Sequence, residues 1–168
     1  MTIEKLKSLD EIVSIRRGFR ASGKKLVFTN GCFDILHVGH VRYLNLARAC
    51  GDALVVGLNS DSSVRQLKGP GRPIVPELER AEVLSALASV DYVFLFEDTT
   101  PQRVIDTIVP DILVKGADWS ISEIVGRETV EAAGGKVMNL PLVQDLSTSG
   151  IIETVIRRFG GRPEQSGK

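Results

Sequence analysis

Five short apolar runs alternate with segments of helical periodicity, and this alternation restricts the fold more than any other feature. Each run is rich in Val, Leu and Ile, as expected of strands that helices cover on both faces. The runs lie at 25–29, 53–58, 92–96, 112–115 and 136–140. We therefore predict an α/β fold, a single Rossmann-like doubly wound domain with a five-stranded parallel sheet.

Helical patterns fill the intervals between these runs and flank them at both ends. Thr100 before Pro101 predicts an N-cap followed by proline at the first helical position, and Gly134-Gly135 predicts the end of a helix. Ser8 and Glu11 have the spacing of a capping box at the start of an N-terminal amphipathic helix. The core helices are predicted at about 38–50, 77–89, 101–108, 122–133 and 148–159.

The predicted organisation is an N-terminal helical extension at 1–23, a domain at 24–159 and a flexible tail at 160–168. The 21 Lys plus Arg balance the 21 Asp plus Glu, so no net field draws the chain to nucleic acid or to an anionic membrane. No apolar run is long enough to span a bilayer, no signal peptide is evident, and neither cysteine has metal-ligand spacing. We expect a cytoplasmic protein without a dedicated metal site.

The segment after the first strand carries the strongest chemical signal. His37 and His40 are three residues apart at the start of a helix, so both imidazoles are expected on one side of it. Gly39 between them has no Cβ and would let a triphosphate approach the helix amides and the positive end of the helix dipole. This pattern favours displacement at phosphorus, because that reaction needs positioning and charge stabilisation rather than a nucleophilic side chain.

These residues resemble the nucleotidyltransferase superfamily marked by a His-x-Gly-His signature. GCFDILHVGH at 31–40 is similar to its first nucleotide motif, and STSGII at 147–152 is similar to its second. The resemblance covers about residues 24–158 and is closest to the branch that adenylates heptose 1-phosphate. The stretches 51–74, 79–96, 100–119 and 124–137 resemble that branch. A chain that starts at Met1 with a short helix favours the stand-alone form over the bifunctional kinase form.

Residue chemistry and the resemblance together predict the site. Catalysis is assigned to His37, His40, Lys68 and Lys115. Nucleotide binding is assigned to Gly31, Cys32, Phe33, His37, Gly39, His40, Lys115, Gly116, Asp118, Ser147 and Thr148. Substrate binding is assigned to Asp34, Asn59, Asp61, Lys68, Arg72 and Arg80.

Several of these residues have a structural alternative. Asp34 would orient His37 or a metal-bound water, or complement the helix dipole. Lys68 and Arg72 would hold phosphate from a mobile loop, or belong to an ordinary surface turn. Asp61 would hold a sugar hydroxyl or, as the favoured alternative, cap a short helix. Arg80 is expected on the polar side of its helix, bound to phosphate or solvated.

The remaining assignments also have alternatives. Lys115 follows a buried strand, where a lysine needs a partner, and phosphate is the expected one. Asp118 and Trp119 would contact the base or ribose, although the tryptophan could instead pack a loop on the core. Phe33 could be a core residue, and Cys32 is expected to be buried and unreactive. Ser147 and Thr148 would bind phosphate, cap a helix, or do both.

The predicted reaction transfers AMP from ATP, with Mg²⁺, to a sugar 1-phosphate and releases pyrophosphate. A cytidylyltransferase acting on glycerol 3-phosphate or a similar polyol phosphate is the first alternative. Related cytidylyltransferases have an arginine shortly before the second motif, whereas this chain has LVQDL at 142–146, which disfavours that alternative. A non-catalytic nucleotide-binding regulator on the same fold is the second alternative. A homodimer is the candidate oligomer, with the oligomeric state left open.

Overall fold

The computed structural model describes residues 3–116, 120–141 and 146–160. Its core is one five-stranded sheet in which all neighbouring strands are parallel, in the order β3-β2-β1-β4-β5. This confirms the predicted fold class. The strands are β1 (Leu26–Gly31), β2 (Ala53–Asn59), β3 (Tyr92–Phe96), β4 (Ile112–Gly116) and β5 (Lys136–Leu140).

Helices cover both faces of this sheet. The helices are α1 (Leu9–Ala21), α2 (Val38–Arg48), α3 (Asp61–Lys68), α4 (Glu77–Ser85), α5 (Gln102–Ile108), α6 (Arg127–Ala132) and α7 (Thr148–Phe159). One apolar cluster joins the sheet to α2 and α4, with Leu44 and Leu84 fully buried in it. A second cluster joins the other face to α1, α5 and α6, through residues such as Ile12, Ile105 and Val130. None of the helices in the described residues is long and apolar enough to cross a bilayer.

The predicted strand positions hold to within two residues, but several helix boundaries differ. The helix predicted at 122–133 is a 3₁₀ turn at Ile121–Glu123 followed by α6, which ends before Gly134. The helix predicted from Pro101 begins at Gln102, so Pro101 rather than Thr100 occupies the N-cap. That prediction was wrong by one residue, because proline suits both positions in the absence of a capping side chain.

The N-terminal segment packs closely on the domain. The predicted capping box is confirmed: the Ser8 N–H donates to Glu11 Oε2 at 2.7 Å, and the Glu11 N–H donates to Ser8 Oγ at 3.2 Å. Before the helix, Leu6 forms a parallel bridge with Val93 at the β3 edge of the sheet. The chain before α1 thus covers a strand edge that would otherwise expose unpaired backbone groups.

The centre of the sheet contains the point where the winding reverses. β1 pairs with β2 over six residue pairs from Leu26 to Gly31, but with β4 only through Val27↔Ile112 and Phe28↔Leu113. Beyond those pairs a crevice opens between the carboxyl ends of β1 and β4. Ligands of doubly wound sheets bind in such a crevice.

Candidate active site

A cavity of about 800 Å³ lies at the carboxyl ends of the strands and extends to the start of α7. It gathers residues from five separate parts of the chain, because parallel strands deliver the loops that follow them to one edge of the sheet. Among the predicted site residues, those that line it are Gly31, Cys32, Phe33, Asp34, His37, Gly39, His40, Asn59, Lys68, Arg72, Lys115, Gly116, Ser147 and Thr148. Asp61 and Arg80 do not line it.

The two histidines form a stacked pair at the start of α2. Their ring centroids are 3.9 Å apart with an interplanar angle of 28°, and the Phe33 ring lies 5.3 Å from that of His40. Burial, and after it the neighbouring His37, lowers the pKa of His40 to about 4. Burial also lowers the pKa of His37. Both imidazoles are therefore neutral near pH 7 and act as N–H donors rather than as cations.

One hydrogen bond selects the tautomer of His40. The backbone N–H of His37 donates to His40 Nδ1 at 3.4 Å, a long contact that assigns Nδ1 as the acceptor. The ring proton of neutral His40 then lies on Nε2, which leaves that nitrogen as the donor of the ring. The three-residue spacing of the pair thus serves helix capping and donor orientation together.

Gly39 leaves the space that the His37 ring occupies in the histidine pair. A Cβ built on Gly39 would lie 2.9 Å from His37 Nδ1, closer than real Cβ atoms come, and 3.0 Å from His37 Cε1. The prediction that Gly39 gives a triphosphate access to the helix amides stays untested. The structure adds a second reason for the glycine, since any larger residue would displace the His37 ring.

Asp34 anchors a distant segment of the chain. Its side chain is fully buried and accepts hydrogen bonds from Arg72 Nε, from the Ile74 N–H at 2.8 Å and from the Val75 N–H at 2.9 Å. Burial raises the pKa of this carboxyl, but the hydrogen bonds from Val75, Ile74 and Arg72 outweigh burial and lower it overall. The bonds of this carboxylate thus form a clamp on residues 72–75 and do not involve His37, while its roles toward a metal-bound water or the helix dipole stay predictions.

The two cations at the start and end of the loop after α3, Lys68 and Arg72, lie in different settings. Arg72 is paired with Asp34 and its side chain is only 15% exposed, so it is not a solvated turn residue. Lys68, the last residue of α3, is exposed and lines the cavity. Of these two predicted phosphate ligands, Arg72 is already paired with a carboxylate, so Lys68 is the better placed to bind phosphate.

Arg80 corrects a prediction. It was expected on the polar side of its helix, yet it is 1% exposed and lies among the core side chains. Its guanidinium donates to the carbonyl oxygens of Val75, Cys32 and Asn59 and to Asp61 Oδ1, at 2.6–2.9 Å. A residue so fully bonded to protein acts as a brace between the loops around the cavity, rather than as a ligand within it.

Asp61 also differs from its predicted role. The N-cap of α3 is Ser60, whose Oγ accepts from the Ser63 N–H at 3.2 Å, so the capping prediction for Asp61 was wrong by one residue. The carboxylate of Asp61 instead receives Arg80. Asn59 does line the cavity, but its amide nitrogen donates to Ser63 Oγ at 2.9 Å.

Lys115 lies at the end of β4, where the crevice opens. Its ammonium donates to the side-chain oxygen of Asn30, at the end of β1, and both residues line the cavity. The prediction that Lys115 needs a partner is thus met in part by an amide from the neighbouring strand. Because an amide is neutral, this bond does not cancel the positive charge of the lysine.

The second motif closes the cavity from the side of α7. Ser147 is the N-cap of α7 and its Oγ accepts from the Gly150 N–H at 3.0 Å. The Thr148 hydroxyl donates to the Ile35 carbonyl at 3.1 Å and joins this helix to the histidine loop. The capping interpretation is confirmed for Ser147, and the positive end of the α7 dipole lies at the cavity.

The first motif also contains a tight backbone contact. Phe33 has φ 44°, uncommon for an aromatic residue, and its ring is buried in the apolar cluster under α2. A Cβ on Gly31 would lie 3.0 Å from that ring, so Gly31 makes the fit possible. Cys32 is only half-buried, less than expected, but burial raises the pKa of its thiol, which agrees with an unreactive cysteine.

Some predictions fall outside the described residues. They concern Asp118 and Trp119, the run 142–145 before the second motif, and residues 161–168 of the predicted tail. Within the described residues, no group of three or more His, Cys, Asp or Glu side chains could hold a metal ion.

Sequence reasoning missed three polar residues at the crevice: Asn30, Thr29 and Tyr43. The Tyr43 hydroxyl is bonded to Thr29 Oγ1 at 2.7 Å and donates to the Val114 carbonyl at 3.2 Å. The available signal was position, because Thr29 and Asn30 are the polar residues that end an otherwise apolar strand. Nothing in the sequence singled out Tyr43, which lies on the buried side of α2.

Comparison with known proteins agrees with this geometry. The family model described as cytidylyltransferase-like matches residues 28–154. The "Bifunctional protein HldE" of Citrifermentans bemidjiense is 56% identical over 155 residues, 92% of this chain and 32% of that protein. The protein of the same name from Geobacter metallireducens is 51% identical, over 93% of this chain and again 32% of the relative. The chain thus spans about a third of the length of these curated relatives.

Solved structures have the same architecture. The lipopolysaccharide core biosynthesis protein of Thermoplasma volcanium is 31% identical, with a TM-score of 0.59, and the match covers 72% of this chain and 98% of that one. Pantothenate synthetase of Thermus thermophilus is 18% identical with a TM-score of 0.57, over 88% of this chain and 67% of that one, a likeness of fold alone.

Proposed function

Since the chain belongs to the cytidylyltransferase-like family, we propose that it is a cytoplasmic nucleotidyltransferase that transfers AMP from MgATP to D-glycero-β-D-manno-heptose 1-phosphate. The products are ADP-heptose and pyrophosphate, and ADP-heptose is a donor for the lipopolysaccharide core. The acceptor is supported by the stretches between 51 and 137 that resemble the heptose branch. The names of two relatives, the bifunctional protein HldE and a lipopolysaccharide core biosynthesis protein, agree with it.

One observation carries this proposal. A neutral, stacked histidine pair lies in the same cavity as the Lys115 ammonium and the N-terminus of α7. Together they supply N–H donors, a positive charge and a helix dipole, all of which stabilise negative charge on phosphate oxygens. No described feature of the cavity calls for a covalent intermediate.

The proposed reaction needs no general base. An oxygen of the sugar phosphate attacks the α-phosphorus of ATP and forms a new P–O bond. The bond between the α-phosphorus and the bridging oxygen to the β-phosphorus breaks, and pyrophosphate leaves with that electron pair. At neutral pH the attacking phosphate oxygen is already ionised, so the protein has to align the reactants and stabilise the transition state.

Within this scheme, His40 donates from Nε2 to an oxygen that gains charge as the bond to pyrophosphate breaks. The adjacent His37 ring binds the same triphosphate. Lys115 and the α7 N-terminus, with Ser147 and Thr148, hold the β- and γ-phosphates, while Lys68 reaches phosphate from the end of α3. The Asp34 clamp on Arg72 keeps the loop after α3 beside the cavity.

Mg²⁺ belongs to the substrate in this proposal, as MgATP. The carboxylate of Asp34, in the same motif as the histidines, is occupied by three protein donors, and the described residues contain no group of three or more His, Cys, Asp or Glu side chains that could hold the ion. Phosphate oxygens and water are its expected ligands, as is usual for Mg²⁺ bound to nucleotides.

The test is a panel of four reactions, ATP or CTP with heptose 1-phosphate or glycerol 3-phosphate, followed by pyrophosphate release. We expect ATP with heptose 1-phosphate to have the highest kcat/KM. A highest value for CTP with glycerol 3-phosphate would assign the chain to the cytidylyltransferase alternative. MgATP binding without turnover of any pair would instead favour the regulator.

A further inference from the structure

The crevice between β1 and β4 is bridged by side chains where the backbone ladder stops. The last paired residues are Phe28 and Leu113. Two residues further on lie Asn30 in β1 and Lys115 in β4, so continuing the register would place these two opposite each other. Side chains two apart in a strand point to the same face, and the Lys115 ammonium indeed donates to the Asn30 side-chain oxygen.

A second bridge holds the opposite face of the same gap. The Tyr43 hydroxyl is bonded to Thr29 and to the carbonyl of Val114, the residues one position before Asn30 and Lys115. Both bonds are buried, so they constrain how far the two strand ends can separate. The distance across which Lys115 meets Asn30 is therefore set by the scaffold and does not depend on a flexible loop.

We propose that Asn30 is a positioning residue for nucleotide binding: its side-chain oxygen holds the Lys115 ammonium in the cavity without cancelling the positive charge. This inference rests on the proposed function, in which Lys115 binds phosphate. Lysine has four rotatable side-chain bonds, and ordering it costs free energy unless a partner holds it beforehand. Asn30 supplies that partner before the nucleotide arrives, so less entropy is lost on binding.

An amide suits this role better than a carboxylate. A carboxylate at the same place would form an ion pair with Lys115 and would compete with the triphosphate for it. It would also repel the incoming phosphates. An amide oxygen accepts a hydrogen bond from the ammonium and adds no negative charge to the cavity.

The inference is tested by a double-mutant cycle between Asn30→Ala and Lys115→Ala, read as the Kd for MgATP by calorimetry. In the wild-type background we expect Asn30→Ala to raise the Kd by about tenfold, the effect of losing one charge-assisted contact. In the Lys115→Ala background the same substitution should change the Kd less than about twofold, since its target is gone. Equal effects in the two backgrounds, or none in either, overturn the proposal.

A charge variant separates positioning from packing. Asn30→Asp keeps the shape of the side chain, so a purely structural role predicts a Kd near wild type. Our proposal predicts a rise of at least about tenfold. Asn45→Asp on α2 is the matched control, because Asn45 is exposed and outside the cavity lining, and its Kd should equal that of wild type. A wild-type Kd for Asn30→Asp overturns the inference.

The readout keeps this inference distinct from the proposed function. Binding of MgATP is measured without an acceptor, so the cycle is informative even if heptose 1-phosphate is not turned over. If the wild type turns over the expected pair but the cycle is additive, the function stands and the role of Asn30 falls. Should Asn30→Ala fail to fold, Asn30→Ser goes through the same cycle.

Discussion

Two groups of polar side chains lie around the same cavity but are held by different kinds of partner. Asp34, Arg72 and Arg80 are largely buried, and their charged groups are bonded to other parts of the protein. His37, His40 and Lys115 line the cavity and are held by ring stacking, one long backbone contact and a neutral amide. The first group can stabilise the loops, whereas the second retains the capacity to bind a phosphorylated ligand.

This contrast shows how to interpret a motif whose residues all resemble functional ones. Asp34 and His37 are three residues apart in one motif and both line the cavity, yet the carboxylate of Asp34 is occupied by protein donors, whereas His37 Nδ1 has no hydrogen-bond partner in the described part of the chain. Residue type alone does not separate them. What separates them is whether the hydrogen-bonding capacity of the side chain is already satisfied within the fold.

The largest effect is expected from the buried group. Arg80→Met should lower the free energy of unfolding by about 3–5 kcal/mol, because it leaves Asp61 and three carbonyl oxygens without their donor. Urea denaturation measures this change. The control is Arg42→Met on the exposed side of α2, which should change stability by less than about 0.5 kcal/mol. If Arg80→Met were as stable as the control but failed to bind substrate, Arg80 would belong with the cavity group.

The next effect concerns the cavity group. His40→Ala should lower kcat by about two to three orders of magnitude, the usual result of removing one transition-state donor. Stability should change little in comparison with Arg80→Met, since the imidazole forms no ion pair with any residue that the structure describes. Steady-state kinetics and a urea titration on the same preparation check both halves. A folded variant within tenfold of wild-type kcat would remove His40 from the mechanism.

A smaller effect is expected for Lys115→Ala. It should weaken phosphate recognition by about 2 kcal/mol, seen as higher KM values for ATP and sugar phosphate. Lys136→Ala is the matched control, because Lys136 is an exposed lysine at the start of the neighbouring strand β5, at the end opposite the cavity. Identical kinetics for the two variants would make Lys115 a structural residue.

The sequence predicted the fold well because the signals for it are local. Apolar runs mark buried strands, and β3 and β5 have the predicted bounds, since turn-forming residues flank them. The capping box at Ser8 is equally local, with both partners three residues apart. Helix ends were predicted less well, because the C-caps of α2 and α4 are Ala49 and Ala86 and not a glycine or proline that would mark the end in the sequence.

The site was predicted only in outline, because its partners are distant in sequence. The strand-end positions correctly brought most of the predicted residues to one cavity. The pairing of Asp34 with Arg72 joins residues 38 positions apart, and that of Arg80 with Cys32 joins residues 48 apart. No periodicity reports such contacts. Asn30 was missed for the same reason, since its importance comes from Lys115, 85 positions away.

The smallest expected effect is a pH dependence of folding stability. It distinguishes the two groups of side chains without removing either group by mutation. Burial, and then His37, lowers the pKa of His40 from 6.5 to about 4 in the folded protein. As pH falls below 6.5 the unfolded chain therefore takes up a proton that folded His40 does not, and the folded state loses stability until the pH reaches about 4. The lowered pKa of Asp34 acts in a different window, since its stabilisation is lost only as pH falls below 3.8.

Between pH 7 and pH 5.5, wild type should thus lose about 1 kcal/mol more stability than His40→Gln, which has no titrating ring at this position. The pKa of His37 is also lowered by burial, so His37 likewise makes both proteins less stable as pH falls. The difference between the two urea titration series then isolates His40. Parallel pH profiles for the two proteins would mean that His40 titrates alike in the folded and unfolded states. In that case the imidazole would be protonated in most of the folded protein at pH 5.5, and at that pH it would act in the cavity as a cation instead of a neutral donor.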